Sequence, residues 1–327
     1  MLCQVRAWTM HRREVSANEP APPGSKDAWP TVCVVMPAYR SAGTLLRAVQ
    51  SVLRQDYQDF VLGISVMPGD SETVEVASSI GDPRVRLVYR SEVGISHARN
   101  SVVRAIRAPL YMFLDTDDAY YDGRVIGSFV SDYRSTPGPA LRYGDWIELS
   151  PLNGAQRRKS IGEYGARAYR HLLWDNFLAT GAVMVEREML ERVGDFDERY
   201  SHAEDWDLWL RIARHYPVRH VRSKVLLYTA TKLKKVYSRD FLMQELAIVR
   251  GHAGGCWTRL LADVFVRGRY GLYYVRTLRH RRSRRALADA RPLDFAAAVP
   301  LVALKLVRRL LAKRRHSDGG DLRPGSS

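Results

Sequence analysis

The 327-residue chain is poor in cysteine, in long apolar runs and, toward its C-terminus, in acid. Only Cys3, Cys33 and Cys256 occur, scattered, odd in number and without a CxxC pair. That argues against a disulfide framework and fits a reducing compartment. No run of about 18 apolar residues is present, so no ordinary membrane span is expected. The longest candidate, residues 295–304, is too short. Residues 1–10 lack a secretory h-region, so no signal peptide is expected and the chain is placed in the cytoplasm. No internal repeat is visible, which removes solenoids and propellers from consideration.

What is present is a normal complement of core-forming residues and an abnormal charge balance. Hydrophobic residues make up 46% and charged residues 26%, enough for one full core with chain to spare. Lys and Arg number 51 against 35 Asp and Glu, a formal charge of +16. Residues 257–316 alone hold sixteen Lys/Arg and three Asp, so the remainder is close to neutral. An excess of this kind points to a polyanionic partner, and it belongs to the C-terminal region alone.

Residues 1–30 are polar and end in a proline cluster, and they read as a disordered lead-in. From residue 31 the pattern alternates. Short apolar runs at 31–36, 60–66, 85–89 and 110–114 read as strands, and residues 41–54, 71–80 and 94–108 between them read as helices, with Ser71 as an N-cap. Such alternation implies right-handed crossovers and a mostly parallel sheet flanked by helices. Past Tyr120 the alternation fades. Strands are expected at 141–149, 178–185 and 221–229, and helices at 186–193 and 203–215. Residues 238–316 read as basic and helical, and 317–327 as a disordered tail.

In an open α/β sheet, ligands bind beyond the carboxyl ends of the strands. Two strand ends carry unusual chemistry: Pro37-Ala38-Tyr39-Arg40, and Asp115-Thr116-Asp117-Asp118 directly after an apolar run. Clustered carboxylates repel unless a positive charge lies between them. A divalent cation is the simplest such charge, since Mg²⁺ and Mn²⁺ prefer oxygen ligands. A solvated acidic turn is the alternative.

The carboxylate cluster has companions. VVMPAYR (34–40), GISHARN (94–100), FLDTDD (113–118), GAVMV (181–185), VGDFDERY (193–200) and AEDWDLWLR (203–211) together resemble family 2 glycosyltransferases of the GT-A fold, in that family's order and spacing. The resemblance covers roughly residues 31–230 and implies an inverting transferase domain over 31–237 that uses a nucleotide-sugar donor and Mg²⁺ or Mn²⁺. It implies that Asp115-Thr116-Asp117 is the DxD motif. Asp117 would hold the metal against the diphosphate, and Asp115 would face the ribose or the metal shell. Asp205 would be the catalytic base. Pro37, Ala38 and Tyr39 would line the nucleotide cleft, and Arg99 would approach the base or the diphosphate. Trp206, Trp209 and Cys33 read as core, and His97 and His202 as structural.

One departure bears on the donor. Where the family places an acidic pair that reads the nucleobase, this chain has Met67-Pro68-Gly69-Asp70-Ser71. Either Asp70 takes over or backbone groups read the base, so the donor nucleotide stays open. The acceptor implied is a glycan, a lipid-linked or a cell-envelope hydroxyl. Residues 295–315 carry Leu and Val on one side and Lys and Arg on the rest, the pattern of a helix lying on an anionic membrane surface. Packing of its apolar side on the transferase domain is the alternative, and no nucleic-acid-binding motif is present. The competing class for the whole chain is an inactive basic membrane- or partner-binding protein on a transferase-like fold.

Overall fold

Six consecutive buried residues, VCVVMP, form β1 (Val32–Pro37) in a computed structural model that describes residues 31–136, 138–149, 156–159, 162–229 and 239–278. The expected lead-in at 1–30, the tail at 317–327 and the amphipathic segment at 295–315 lie outside the described residues. β1 is followed by α1 (Ala42–Leu53), β2 (Phe60–Val66), α2 (Ser71–Ser78), β3 (Val85–Tyr89), α3 (Ile95–Ala105) and β4 (Leu110–Phe113). β1 pairs in parallel with β2 and β4, and β2 pairs in parallel with β3. β1, β2 and β4 are buried along their whole length and apolar on both faces, whereas β3 at the sheet edge is only partly buried. Cys33 and Val35 enter one core cluster, whereas Val32, Val34 and Met36 enter the other, as the two-residue period of a strand requires. Burial pushes the Cys33 thiol up to about 12, which fits a packing role.

The second half is mixed. It contains β5 (Ala119–Tyr120), α4 (Val125–Ser135), β6 (Leu141–Leu149), β7 (Gln156–Lys159), α5 (Ala168–Leu172), β8 (Val183–Glu186), α6 (Arg187–Val193), α7 (Glu204–Ala213) and β9 (Val218–Thr229). The order across the sheet is β3-β2-β1-β4-β8-β6-β9-β5, with β7 on β6. β8 runs antiparallel to β4 and β6, and β9 runs parallel to β6. Helices α8 (Arg239–His252) and α9 (Cys256–Leu278) follow. Among the described residues no helix is long and apolar enough to cross a membrane.

Three local expectations change. Asp70, not Ser71, caps α2, its carboxylate accepting from the Thr73 amide at 3.5 Å. The run 178–185 is not one strand. Thr180–Ala182 forms a 3₁₀ turn and β8 starts only at Val183. Gly181 packs tightly in this turn, since a Cβ there would lie 2.7 Å from Leu226. Helix α4 was not expected, although it buries Val125, Ile126, Phe129 and Val130 at helical spacing.

One close approach positions the site. A Cβ at Gly63 on β2 would overlap the Val102 side chain and lie 2.8 Å from Ile106, so α3 sits directly on the sheet there. Helix α7 buries Trp206 and Trp209 completely, which is the core role expected of them.

Candidate active site

The chain leaves β4 through a loop whose side chains alternate in task. Thr116 and Asp118 are buried. The Thr116 hydroxyl donates to Ser41 Oγ at 2.9 Å, and Asp118 Oδ1 accepts from the Thr229 amide at 2.9 Å. Arg47 donates to the Asp117 carbonyl and, at 3.1 Å, to Thr229 Oγ1. The loop is thereby tied both to the end of β1 and to the end of β9. Asp115 and Asp117 are half-buried, and one carboxylate oxygen from each of Asp115, Asp117 and Asp118 lies within 4.8 Å of the others. An all-oxygen, all-anionic set of this size fits a hard divalent cation such as Mg²⁺ or Mn²⁺.

Helix α3 faces this loop from the side. Gly94, at φ 133°, turns the chain into the helix, a backbone angle natural to glycine. Ser96, Arg99 and Asn100 fall at i, i+3 and i+4 and so share one face. Asn100 donates to the Phe196 carbonyl at 2.8 Å and to Glu198 at 2.9 Å, and accepts from the Phe196 amide at 3.0 Å. The Ser96 hydroxyl donates to the Tyr200 carbonyl at 3.3 Å. The Arg99 side chain is only 3% exposed. Its Nη1 donates to Glu204 Oε1 at 2.5 Å and its Nη2 to Asp115 Oδ1 at 2.9 Å. The guanidinium also lies 5.2 Å from the centre of the Phe196 ring. Expected at the nucleobase or the diphosphate, Arg99 is therefore placed as a buried bridge between the end of β4 and the head of α7.

Burial works on both partners. It lowers Arg99, but the charges of Asp115, Glu204 and Asp205 outweigh it and carry the guanidinium above its ordinary value. Burial drives Glu204 up to about 7, against the pull of Arg99 and with the charge of Asp205 adding to the rise. Ala203, which caps α7, is left-handed at φ 58°, a strained angle for an L-residue. Asp205 is half-buried beside Glu204. Its Oδ2 accepts from the Thr180 hydroxyl at 2.6 Å, and its Oδ1 accepts from the Trp206 amide at 2.6 Å and from Asn176 Nδ2 at 3.4 Å.

On the far side, Pro37 and Ala38 are buried, whereas Tyr39 is 43% exposed. Ser41 donates to the Tyr39 carbonyl at 3.0 Å, which joins this turn to Thr116. Arg40 is left-handed at φ 51°, and its amide donates to Asp70. Burial raises the Asp70 carboxyl, but the bonds from Arg40 and Thr73 prevail and hold it below its usual range. A cleft of about 500 Å³ opens beyond the carboxyl ends of β2 and β3, with Met67, Pro68, Gly69, Tyr89, Arg90 and Ser101 among its walls. Asp70, turned to the Arg40 amide and the α2 N-terminus, is not one of them. Arg90 is anchored there by Nε donating to Ser65 Oγ at 2.8 Å.

Thus Asp115, Thr116 and Asp117 sit on one loop, and Arg99 ties Asp115 to Glu204, the residue before Asp205. The sequence offered no role for Glu204, Ser96, Asn100, Asn176 or Thr180. The polar face of α3 at positions 96, 99 and 100 was the available signal.

An α/β sheet with a carboxylate cluster after β4 and an acidic pair at the head of α7 defines the GT-A class. Its solved representatives include S. aureus TarS 1-349 in complex with UDP-GlcNAc, which superposes with a TM-score of 0.57 over 82% of this chain and 78% of that one at 13% identity. "Glycosyl transferase family 2" matches residues 33–140 and "Glycosyltransferase like family 2" residues 167–245, and the chain belongs to the family 2 glycosyltransferases. An uncharacterized glycosyltransferase of Rickettsia felis is 24% identical over 206 residues, covering 61% of this chain and 34% of its own. The chondroitin synthase of Escherichia coli is 24% identical over 219 residues, covering 63% of this chain and 30% of its own. The chain thus spans about a third of the length of these two curated relatives.

Proposed function

We propose that this chain is an inverting glycosyltransferase that moves a sugar from a nucleoside-diphosphate sugar to an acceptor hydroxyl. Asp117 and Asp115 hold Mg²⁺ or Mn²⁺, and Asp205 is the base. One observation carries the reading: the Arg99 bridge joins Asp115 to the residue next to Asp205, with bonds of 2.9 and 2.5 Å. This bridge supports a reading in which the β4 carboxylates and the α7 acidic pair address one space.

A bound divalent cation supplies Lewis acidity toward the departing diphosphate. The residues of the chain do the rest. Asp205 takes the proton of the acceptor hydroxyl as it attacks the anomeric carbon. The Thr180 hydroxyl and Asn176 amide fix the orientation of that carboxylate. Tyr39, exposed at the end of β1, offers a ring against which a nucleobase stacks. The cleft beside Met67 and Pro68 receives the base without a carboxylate from the β2–α2 turn. A single displacement of this kind inverts the anomeric centre.

The test is a hydrolysis screen over UDP-, GDP- and dTDP-sugars with Mn²⁺, with and without EDTA. Release of nucleoside diphosphate only in the presence of metal is expected. Equal release in EDTA would remove Asp117 and Asp115 from the role of metal ligands.

The basic C-terminal region is assigned to an anionic membrane surface. Trp257, Leu260 and Leu261 support this, being 78%, 51% and 47% exposed on the first turns of α9. Co-sedimentation with anionic but not neutral vesicles is expected, and sedimentation with neither would sink the assignment.

A further inference from the structure

We propose that helix α8 is a brace that holds the turn ahead of the catalytic base, with Gln244 as its principal positioning residue and Phe241 as the second. The proposal rests on Asp205 being the base. Residues 201–203 lead into α7 through the strained left-handed Ala203. Two elements outside α7 hold that turn in place.

From the sheet side, α3 holds the Tyr200 carbonyl through Ser96 and the Glu204 carboxylate through Arg99. From the opposite side, Gln244 Oε1 accepts from the Ser201 and His202 amides, each at 3.1 Å. Gln244 Nε2 donates to Ser201 Oγ at 3.0 Å. One side chain, more than forty positions away, thus satisfies two successive backbone donors of the turn. One turn of α8 earlier, Phe241 stacks on His202 with ring centres 3.6 Å apart and planes 17° from parallel.

The brace is itself anchored. His252, at the end of α8, bonds Asp207 of α7 at 2.9 Å, and its carbonyl accepts from the Tyr169 hydroxyl at 2.8 Å. Arg269 of α9 bonds Glu245 at 2.8 Å while lying 4.9 Å from the Trp206 ring centre. Helix α8 is therefore fixed to the same helix whose first turn carries Asp205. Removing the Gln244 acceptor would leave two amides without their partner and let Ala203 relax out of the left-handed region. Asp205 would then swing away from the acceptor hydroxyl, while the β1 and β4 loops, where the donor is held, keep their shape. Small misplacements of a reacting group are enough to cost turnover.

The test uses the full chain and four variants: Gln244→Met, which keeps bulk and loses the acceptor, Gln244→Glu, which keeps it, Phe241→Leu and Asp205→Asn. Turnover is read as nucleoside diphosphate released from the UDP-, GDP- and dTDP-sugar panel with Mn²⁺, and binding by calorimetric titration with UDP and GDP. Gln244→Met is expected to lose about tenfold or more in turnover with nucleotide affinity within about twofold of wild type, and Gln244→Glu to recover most of the loss. Phe241→Leu should fall in the same direction and carries the test if Gln244→Met does not fold. Wild-type turnover in Gln244→Met beside a dead Asp205→Asn would overturn the brace alone. So would equal loss of turnover and nucleotide binding, or a Gln244→Glu as slow as Gln244→Met. An active Asp205→Asn would instead overturn the assignment of the base, and the brace with it.

Discussion

Replacing Arg99 by Met keeps a long apolar stem against Phe196 and removes the positive charge to which both Asp115 and Glu204 are bonded. The two carboxylates then fare differently. The Asp115 side chain is 36% exposed and can be hydrated, whereas that of Glu204 is 10% exposed and cannot. Breaking a buried pair by removing one partner costs about 3–5 kcal/mol, most of it from the charge left behind. The cost should depend on pH with a definite sign. Burial already lifts Glu204 to about 7, and loss of Arg99, which pulls it down, lifts it further. Glu204 is therefore protonated in the folded variant near pH 5, where the deficit is small. The deficit grows as pH rises through about 7 and beyond, because the folded variant must then either hold an unpaired charge or bind a proton that the unfolded chain has released. Urea denaturation of wild type and variant at about pH 5 and pH 8.5 measures this. Adding Glu204→Gln to the Arg99→Met background should recover much of the stability at the higher pH. A loss under about 1 kcal/mol at pH 8.5, or a double variant as unstable as the single one, would refute the claim that an orphaned Glu204 charge sets the cost.

Asp205→Asn should lower transfer by about 10²–10⁴-fold while nucleotide binding by calorimetry is unchanged, since general base catalysis contributes about that factor; parallel loss of both would reassign Asp205 to binding. Asp117→Ala should abolish the Mn²⁺-dependent part of UDP or GDP binding in calorimetry and leave a metal-independent remainder, and an unchanged Mn²⁺ dependence would exclude Asp117 as a ligand. Ala203→Gly should leave stability unchanged or raise it by up to about 1 kcal/mol in thermal unfolding, because a left-handed L-residue costs about 1–2 kcal/mol and glycine adopts that angle freely. Ala203→Val should be clearly destabilising, and equal stability of the two would show that the turn relaxes.

The sequence was most legible where one face of a rule sufficed. β2 begins and ends where its apolar run does and is buried throughout, because a buried strand needs little beyond uninterrupted apolar residues. β3 and β6 also keep the expected bounds, although they carry polar residues such as Arg86 and Asp145. The crowding of carboxylates at the end of β4 was legible, since Asp115, Asp117 and Asp118 follow the strand directly and their carboxylate oxygens do come together. The run at 178–185 misled in its first half, where Thr180–Ala182 turn and Gly181 packs closely on Leu226, and only from Val183 is it a strand. The position of Arg99 was not legible at all. Its partners lie 16 and 105 residues away, and only the folded sheet brings Asp115 and Glu204 to one guanidinium. The same holds for Gln244, whose partners are 42 and 43 residues upstream across a helix boundary.

The bare backbone at Gly63 lets α3 settle against β2, and α3 is the element that bears Ser96, Arg99 and Asn100. The height of that helix above the sheet is accordingly a dial on the spacing between the two acidic stations. Even a methyl group at position 63 would have to lift the helix or displace Val102 and Ile106. A change that touches neither donor nor acceptor could therefore detune the enzyme from beneath, and tolerance for any larger residue there is foreclosed by the floor of the fold rather than by its reactive edge.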